Sequence, residues 1–273
     1  MGRFDGILIC TDLDGTLYRN DKTISEENKA AIEYFKREGG KFTFITGRMP
    51  YYSIDAFNAA RPNVPYGCIN GAGIYDGENE KYVWTIDTPS TALELVRYVD
   101  ERISDVGIQL CGFEKTYFAR ENSATVRFRK RTGVPYCACD YRDFTEPLAK
   151  IILCSEEEEK ISRIKSMIEG HKNSCNFDFV RSERTLFEIL PKGVHKGIAL
   201  KKLADYLNIS IERTIAVGDY DNDVEMLRVA GCGIVVSNAS PAALAAADAV
   251  TVSNEENAIA RIIEDLENGK YIG

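Results

Sequence analysis

Asp12-Leu-Asp14-Gly-Thr-Leu17 follows directly on the short apolar run that begins at Gly6 and passes through Ile7, Leu8, Ile9 and Cys10. An apolar run of this length that ends in polar residues reads as a buried parallel strand. Open parallel sheets bind ligands at the carboxyl ends of their strands. Residues two apart on a strand point the same way, so Asp12 and Asp14 would repel each other unless a cation or a shared proton joins them. Gly15 permits a sharp exit turn, and Thr16 can hydrogen-bond a carboxylate or the turn backbone. An ordinary polar turn would account for Asp-Gly-Thr alone; it does not account for the whole string directly after an apolar strand.

Those carboxylates need elements to hold them, and strand and helix patterns alternate on both sides of a different middle. Ser25 caps a helix that ends near Gly39-Gly40; Lys41 to Thr46 is a strand, a helical stretch starts near Pro50, and Pro65 precedes a strand through Ile69. Later, Lys196–Leu207 reads as a helix, Thr214–Gly218 as a strand, Asp223–Val229 as a helix, Gly233–Val236 as a strand, Pro241–Ala247 as a helix, Ala249–Val252 as a strand and Glu255–Glu267 as a helix. Such alternation predicts an α/β, doubly wound parallel sheet with helices on both faces. Between them, Lys81–Ile86 and Lys115–Ala119 look like antiparallel strands, with helical patterns near Pro89–Ile103 and Glu156–Glu169. The expected organisation is therefore a catalytic core of residues 1–81 and 190–273, with an α+β cap domain of residues 82–189 inserted in it.

Three further strings stand at ends of these elements. Phe44-Ile-Thr46-Gly-Arg48 closes the second strand, Lys196 lies in Pro191-Lys-Gly-Val-His-Lys196-Gly, and Gly218-Asp219-Tyr-Asp-Asn222-Asp223 follows a later strand. With the first string, these resemble, in order, the four motifs of the haloacid dehalogenase superfamily of phosphotransferases. The long insertion, Asn70-Gly-Ala72 and Ser237-Asn238-Ala239 resemble its Cof-like sugar-phosphatase branch, whose caps are of the large α+β (C2) type. The likeness spans essentially the whole chain. Val236-Ser237 stands where that branch usually has Met-Gly, and Glu256-Asn257-Ala258 where it often has Asp-Gly-Val; both lie outside the catalytic set.

The resemblance implies Mg²⁺-dependent hydrolysis of a small phosphorylated metabolite through an aspartyl-phosphate. Asp12 would be the nucleophile and Asp14 the acid/base. Thr46, the Gly47 amide, Lys196 and Asn222 would bind the phosphoryl group. Asp12, the Asp14 main-chain carbonyl and Asp219 would hold the metal, with Asp223 on a metal-bound water or the lysine. The chemistry is coherent, since a phosphate dianion and a carboxylate nucleophile approach each other only where cations neutralise the site, and Mg²⁺ prefers such oxygen donors. Lys192 and Asp221 read as exposed loop charges, and His195 as structural. Arg48 either reaches substrate or cap, or pairs with an acid. Gly71-Ala-Gly73 lacks the third glycine of a dinucleotide fingerprint.

Composition bounds the partners. A net charge of -8 argues against nucleic acid, while leaving room for a locally positive phosphate pocket. The 8 cysteines are scattered, several within apolar runs, and with two histidines give no zinc spacing; reduced thiols and a cytoplasmic location are expected. No stretch reads as a membrane span or signal sequence. Two other functions share parts of this pattern: a hexose phosphomutase of the same superfamily, and a non-catalytic phosphate-binding regulator, which would be expected to have lost one of Asp12, Asp14, Lys196 or Asp219. Oligomeric state is not legible.

Overall fold

The computed structural model describes residues 2–272. The first strand, β1 (Leu8–Thr11), is buried throughout, as its apolar run requires. In α1 (Glu26–Arg37) the Ser25 hydroxyl accepts from the Asn28 amide at 3.1 Å; Glu26 and Glu27 fill the first turn and Lys36 and Arg37 the last, as the helix dipole favours. β2 (Lys41–Phe44) and α2 (Ile54–Ala60) follow. A small antiparallel sheet is then built from β3 (Tyr66–Cys68), β4 (Gly73–Asp76) and β5 (Lys81–Thr85).

Residues Ile86–Val194 form a compact unit of their own, and Met1–Thr85 with His195–Gly273 form the other. The smaller unit contains α3 (Ala92–Asp100), β6 (Gly107–Gly112), β7 (Thr116–Arg120), α4 (Ser123–Thr132), β8 (Leu148–Cys154), α5 (Glu158–Glu169), β9 (Phe177–Glu183) and β10 (Leu186–Pro191). Its sheet has the order β7-β6-β8-β10-β9, with antiparallel pairing throughout. Alternation along β8 sorts the residues by face. Ile151 and Leu153 join a core with Leu95 and Val99 of α3 and Ile161 and Ile164 of α5. Lys150 points to the opposite face, where its Nζ meets Glu188 Oε2 of β10 at 2.8 Å, while Ser182 Oγ donates to Glu188 Oε1 at 2.7 Å. The strand Lys81–Thr85, expected to open the insertion, instead pairs with β4 and belongs to the larger unit.

The larger unit resumes with α6 (Lys196–Leu207), β11 (Thr214–Gly218), α7 (Val224–Val229), β12 (Cys232–Val235), α8 (Pro241–Ala246), β13 (Ala249–Val250) and α9 (Ala258–Glu267). Its main sheet has the order β13-β12-β11-β1-β2, all parallel. Leu8, Cys10, Ala216 and Val235 pack with α6 and α7, while the alternate residues Ile9, Ile215 and Ile234 are fully buried on the other side. α1 and α9 pack against each other, and the Asn28 side chain accepts from the Ala260 amide at 2.9 Å. This is the α/β architecture that the alternation predicts. Among the described residues no helix is long and apolar enough to cross a membrane.

Candidate active site

β11, β1 and β2 are neighbours and parallel, so their carboxyl ends bring Asp219, Asp12 and Thr46 to one edge of the sheet. The Asp12 amide donates to Val217 O at 2.8 Å, which fixes the residue just past β1. Lys196, the first residue of α6, is buried, and its Nζ donates to Asp12 Oδ1 at 2.5 Å and Asp223 Oδ1 at 2.6 Å. The second Asp223 oxygen accepts the Asp219 and Tyr220 amides, both at 3.0 Å, so this side chain ties the lysine to the loop that carries Asp219. Thr16 Oγ1 donates to Asp219 Oδ1 at 2.8 Å. Gly15 has φ +87°, and a Cβ there would lie 2.5 Å from Asp219 Oδ2, so the turn needs glycine for both conformation and space.

Carboxylate oxygens of Asp12, Asp219 and Asp223 lie within 4.8 Å of one another. Three carboxylates thus face one ammonium. Burial pushes the Asp12 carboxyl above the usual range; Lys196 opposes this, and Asp223 and Asp219 add to it. Asp219 is raised for the same reasons, burial first and Asp223 second. Burial disfavours the charged form of Lys196, but Asp12 and Asp223 outweigh it and raise its pKa. The cluster is under-neutralised and made of hard oxygen donors without histidine or thiolate, the donor set that suits Mg²⁺.

Asp14 has a different environment from the one its spacing suggests. β1 ends at Thr11 and the chain turns, with the Tyr18 amide donating to Leu13 O at 2.8 Å. The strand rule therefore fails here, and the Asp14 carboxylate lies outside the acidic triplet. Arg48 Nη2 donates to both of its oxygens, at 2.8 and 2.7 Å, and Lys22 Nζ donates to Oδ1 at 2.9 Å. Burial would raise this carboxyl, but Arg48 and Lys22 hold it below the usual range.

A family of haloacid dehalogenase-like hydrolases matches residues 9–263. The chain belongs to that family. Its place in the Cof-like branch agrees with the sequence motifs, and the enzyme is a phosphatase. It is 28 % identical over 263 residues to the 5-amino-6-(5-phospho-D-ribitylamino)uracil phosphatase YitU of Bacillus subtilis, covering 94 % of this chain and 96 % of that one. It is 28 % identical over 286 residues to phosphatase YwpJ of the same organism, covering 95 % of this chain and 99 % of YwpJ. A solved haloacid dehalogenase-like hydrolase from Bacteroides thetaiotaomicron shares the fold, with TM-score 0.83 at 23 % identity over 95 % of this chain and 99 % of that one.

In this haloacid dehalogenase-like hydrolase the remaining expected residues gather around Asn70. Thr46 is buried, its Oγ1 accepts from the Arg48 amide at 3.3 Å, and its carbonyl accepts from the Asn70 amide at 3.0 Å. A Cβ on Gly47 would lie 2.9 Å from Asn70 Oδ1, and Asn222 Nδ2 donates to that same oxygen at 3.1 Å. Sequence reasoning gave Asn70 no role, although asparagine is the side chain that most readily accepts the left-handed conformation found there (φ 51°). Lys22 was missed outright, because a lysine in a polar turn carries no signal of its own. Arg48 pairs with Asp14, and Lys192 is an exposed partner of Asp178 at 2.7 Å. Asp221 is an exposed residue that accepts from Ser240 Oγ at 2.7 Å. Gly71 serves close packing: a Cβ there would lie 2.2 Å from His195 O.

Proposed function

We propose that this phosphatase hydrolyses a small phosphate monoester, a sugar phosphate or related metabolite, with Mg²⁺ and through an aspartyl-phosphate on Asp12. The observation that carries the reading is the buried Lys196 bridging Asp12 and Asp223 beside Asp219, three carboxylates around one ammonium. Asp12, Asp219 and the Asp14 main-chain carbonyl would hold Mg²⁺. When bound, the ion supplies the positive charge that lets a carboxylate approach a phosphate dianion. Asp223 has both oxygens engaged, so its part is to fix Lys196 and the Asp219 loop.

Asp12 attacks phosphorus, the bond to the leaving oxygen breaks, and Asp14, which Arg48 and Lys22 keep ionised in the free enzyme and which therefore takes up a proton as substrate binds, passes that proton to the leaving oxygen. Asp14 then takes a proton from water as the water attacks the aspartyl-phosphate, which releases inorganic phosphate and restores Asp12. Thr46, the Gly47 amide, Asn222 and Lys196 orient the phosphoryl oxygens. Those groups recognise only what every monoester has, so selection among substrates falls to the inserted unit, Ile86–Val194.

The test is phosphate release from a panel of phosphorylated metabolites, before and after chelation. Turnover should vanish on chelation and return with Mg²⁺. Full turnover after exhaustive chelation refutes the metal. Isomerisation of hexose phosphates that depends on a bisphosphate activator would identify a mutase instead.

A further inference from the structure

Asp14 is gripped from two sides by side chains of different character. Arg48 uses a single nitrogen, Nη2, nearly equidistant from both carboxylate oxygens at 2.8 and 2.7 Å. One donor atom straddling two oxygens is a pivot: it fixes where the carboxylate is and leaves its rotation open. Lys22 breaks that symmetry by donating to Oδ1 alone, at 2.9 Å. Oδ1 then carries both cations, and Oδ2 carries only the Arg48 contact. We propose that Lys22 is a positioning residue for Asp14, which orients the carboxylate so that Oδ2 is the oxygen that gives and takes the proton; this rests on the reading of Asp14 as the acid/base.

An exposed ion pair ordinarily contributes little, and the Lys22 side chain is 64 % exposed. What sets this pair apart is the way its backbone is held. Lys22 has φ +66°, a left-handed conformation uncommon for a residue with a long side chain. Its amide donates to Arg19 O and the Arg19 amide to Thr23 O, both at 2.9 Å, which closes the turn. The turn's base is tied to the far end of the chain: Asn254 Nδ2 donates to Tyr18 O at 2.9 Å, Arg19 Nη2 to Asn257 Oδ1 at 2.9 Å, and the Asn20 amide to Glu255 Oε1 at 2.7 Å. The lysine therefore reaches Asp14 from a fixed platform, so its backbone is already ordered and only its side-chain rotamers remain to be fixed by the pair.

The test compares Lys22→Met, Lys22→Arg, Asp14→Asn and the Lys22→Met/Asp14→Asn double variant, each with p-nitrophenyl phosphate and with a simple alkyl phosphate. The quantity is kcat/KM, which covers steps only up to phosphorylation of Asp12. A nitrophenolate leaves without a proton, and an alkoxide does not. Lys22→Met should lower kcat/KM about tenfold for the alkyl phosphate, a modest misplacement of a reacting group, and change it less than about twofold for the nitrophenyl ester. Lys22→Arg should restore most of the loss, and the Tm should be unchanged. In the Asp14→Asn background Lys22→Met should cost nothing further. Equal losses on both substrates, or a loss that persists in the Asp14→Asn background, overturn the proposal and leave Lys22 a structural or substrate-binding residue. If Asp14→Asn itself shows no dependence on the leaving group, the acid/base reading falls, and the Lys22 proposal with it.

Discussion

Lys196 in the larger unit and Lys150 in the smaller one have side chains only 1 % and 2 % exposed. Both meet carboxylates at hydrogen-bond distance. Lys150 meets the Glu188 carboxylate, and Ser182 supplies a hydrogen bond to the second carboxylate oxygen. Lys196 meets Asp12 and Asp223 together, and Asp219 lies in the same cluster. The Lys150 pair is balanced, so the cost of burying its charges is offset by mutual attraction and hydrogen bonds. The Lys196 cluster is not balanced, and folding alone gives no reason to keep it so. A protein that pairs one buried lysine evenly and surrounds the other with surplus acid has built a structural contact in one place and a receptor for further positive charge in the other.

The largest effect expected from this contrast is at Asp12. Asp12→Asn removes one repelling charge and, on the mechanism proposed above, the nucleophile, while preserving shape. Turnover should fall by roughly 10⁴-fold or more, the scale seen when a nucleophile is lost. Because Lys196 keeps Asp223 and the crowding of acids is relieved, the Tm measured in chelator should be unchanged or higher. A variant that loses activity together with stability would show the cluster to be structural after all, and the contrast with Lys150 would break.

Much of this arrangement was legible in the sequence because it sits where patterns change. The helix Lys196–Leu207 and the strand Thr214–Gly218 lie where they were expected, and Asp219 and Lys196 follow from being at their ends. What escaped was set by tertiary packing. α4 carries Arg127, Arg129, Lys130 and Arg131 and buries only Ala124, Thr125 and Phe128, too weak an apolar period to announce a helix, and its capping box pairs Asn122 with Thr125 where glutamate is usual. The Lys81–Thr85 strand has the composition of an insertion strand, and only its pairing with β4 shows which sheet it joins. The partners of Asp14 depended on a turn at Gly15 that carries the carboxylate off the strand's axis. The Lys150–Glu188 pair joins two strands 38 residues apart, and no local pattern encodes it.

The next effect in size tests the balanced pair itself. Lys150→Met leaves Glu188 buried without its ammonium. Breaking one side of a buried pair typically costs about 3–5 kcal/mol. Urea unfolding should record a loss of that order. A loss below about 1 kcal/mol would mean that the Glu188 carboxylate is already satisfied without the lysine.

The smallest effect should come from removing both partners. Lys150→Met with Glu188→Met replaces two buried ions by flexible apolar chains of similar length, on a face that also carries the buried Ile152 and Cys154. The charges no longer have to be desolvated, which offsets the lost attraction; replacements of this kind are often neutral or stabilising. Ser182 loses its acceptor, but it is only half-buried, so its hydroxyl can turn to water. The double variant should therefore unfold within about 1 kcal/mol of the unaltered protein, recovering most of what Lys150→Met lost. The same measurement separates the two lysines, because no paired apolar replacement of Asp12 and Lys196 can return turnover. If the double variant stays as unstable as the single one, the pair is part of a wider polar network and is not a closed contact. If it recovers stability but changes the enzyme's ranking among phosphorylated metabolites, the balanced pair contributes to substrate selection, and the division drawn between the two lysines is wrong.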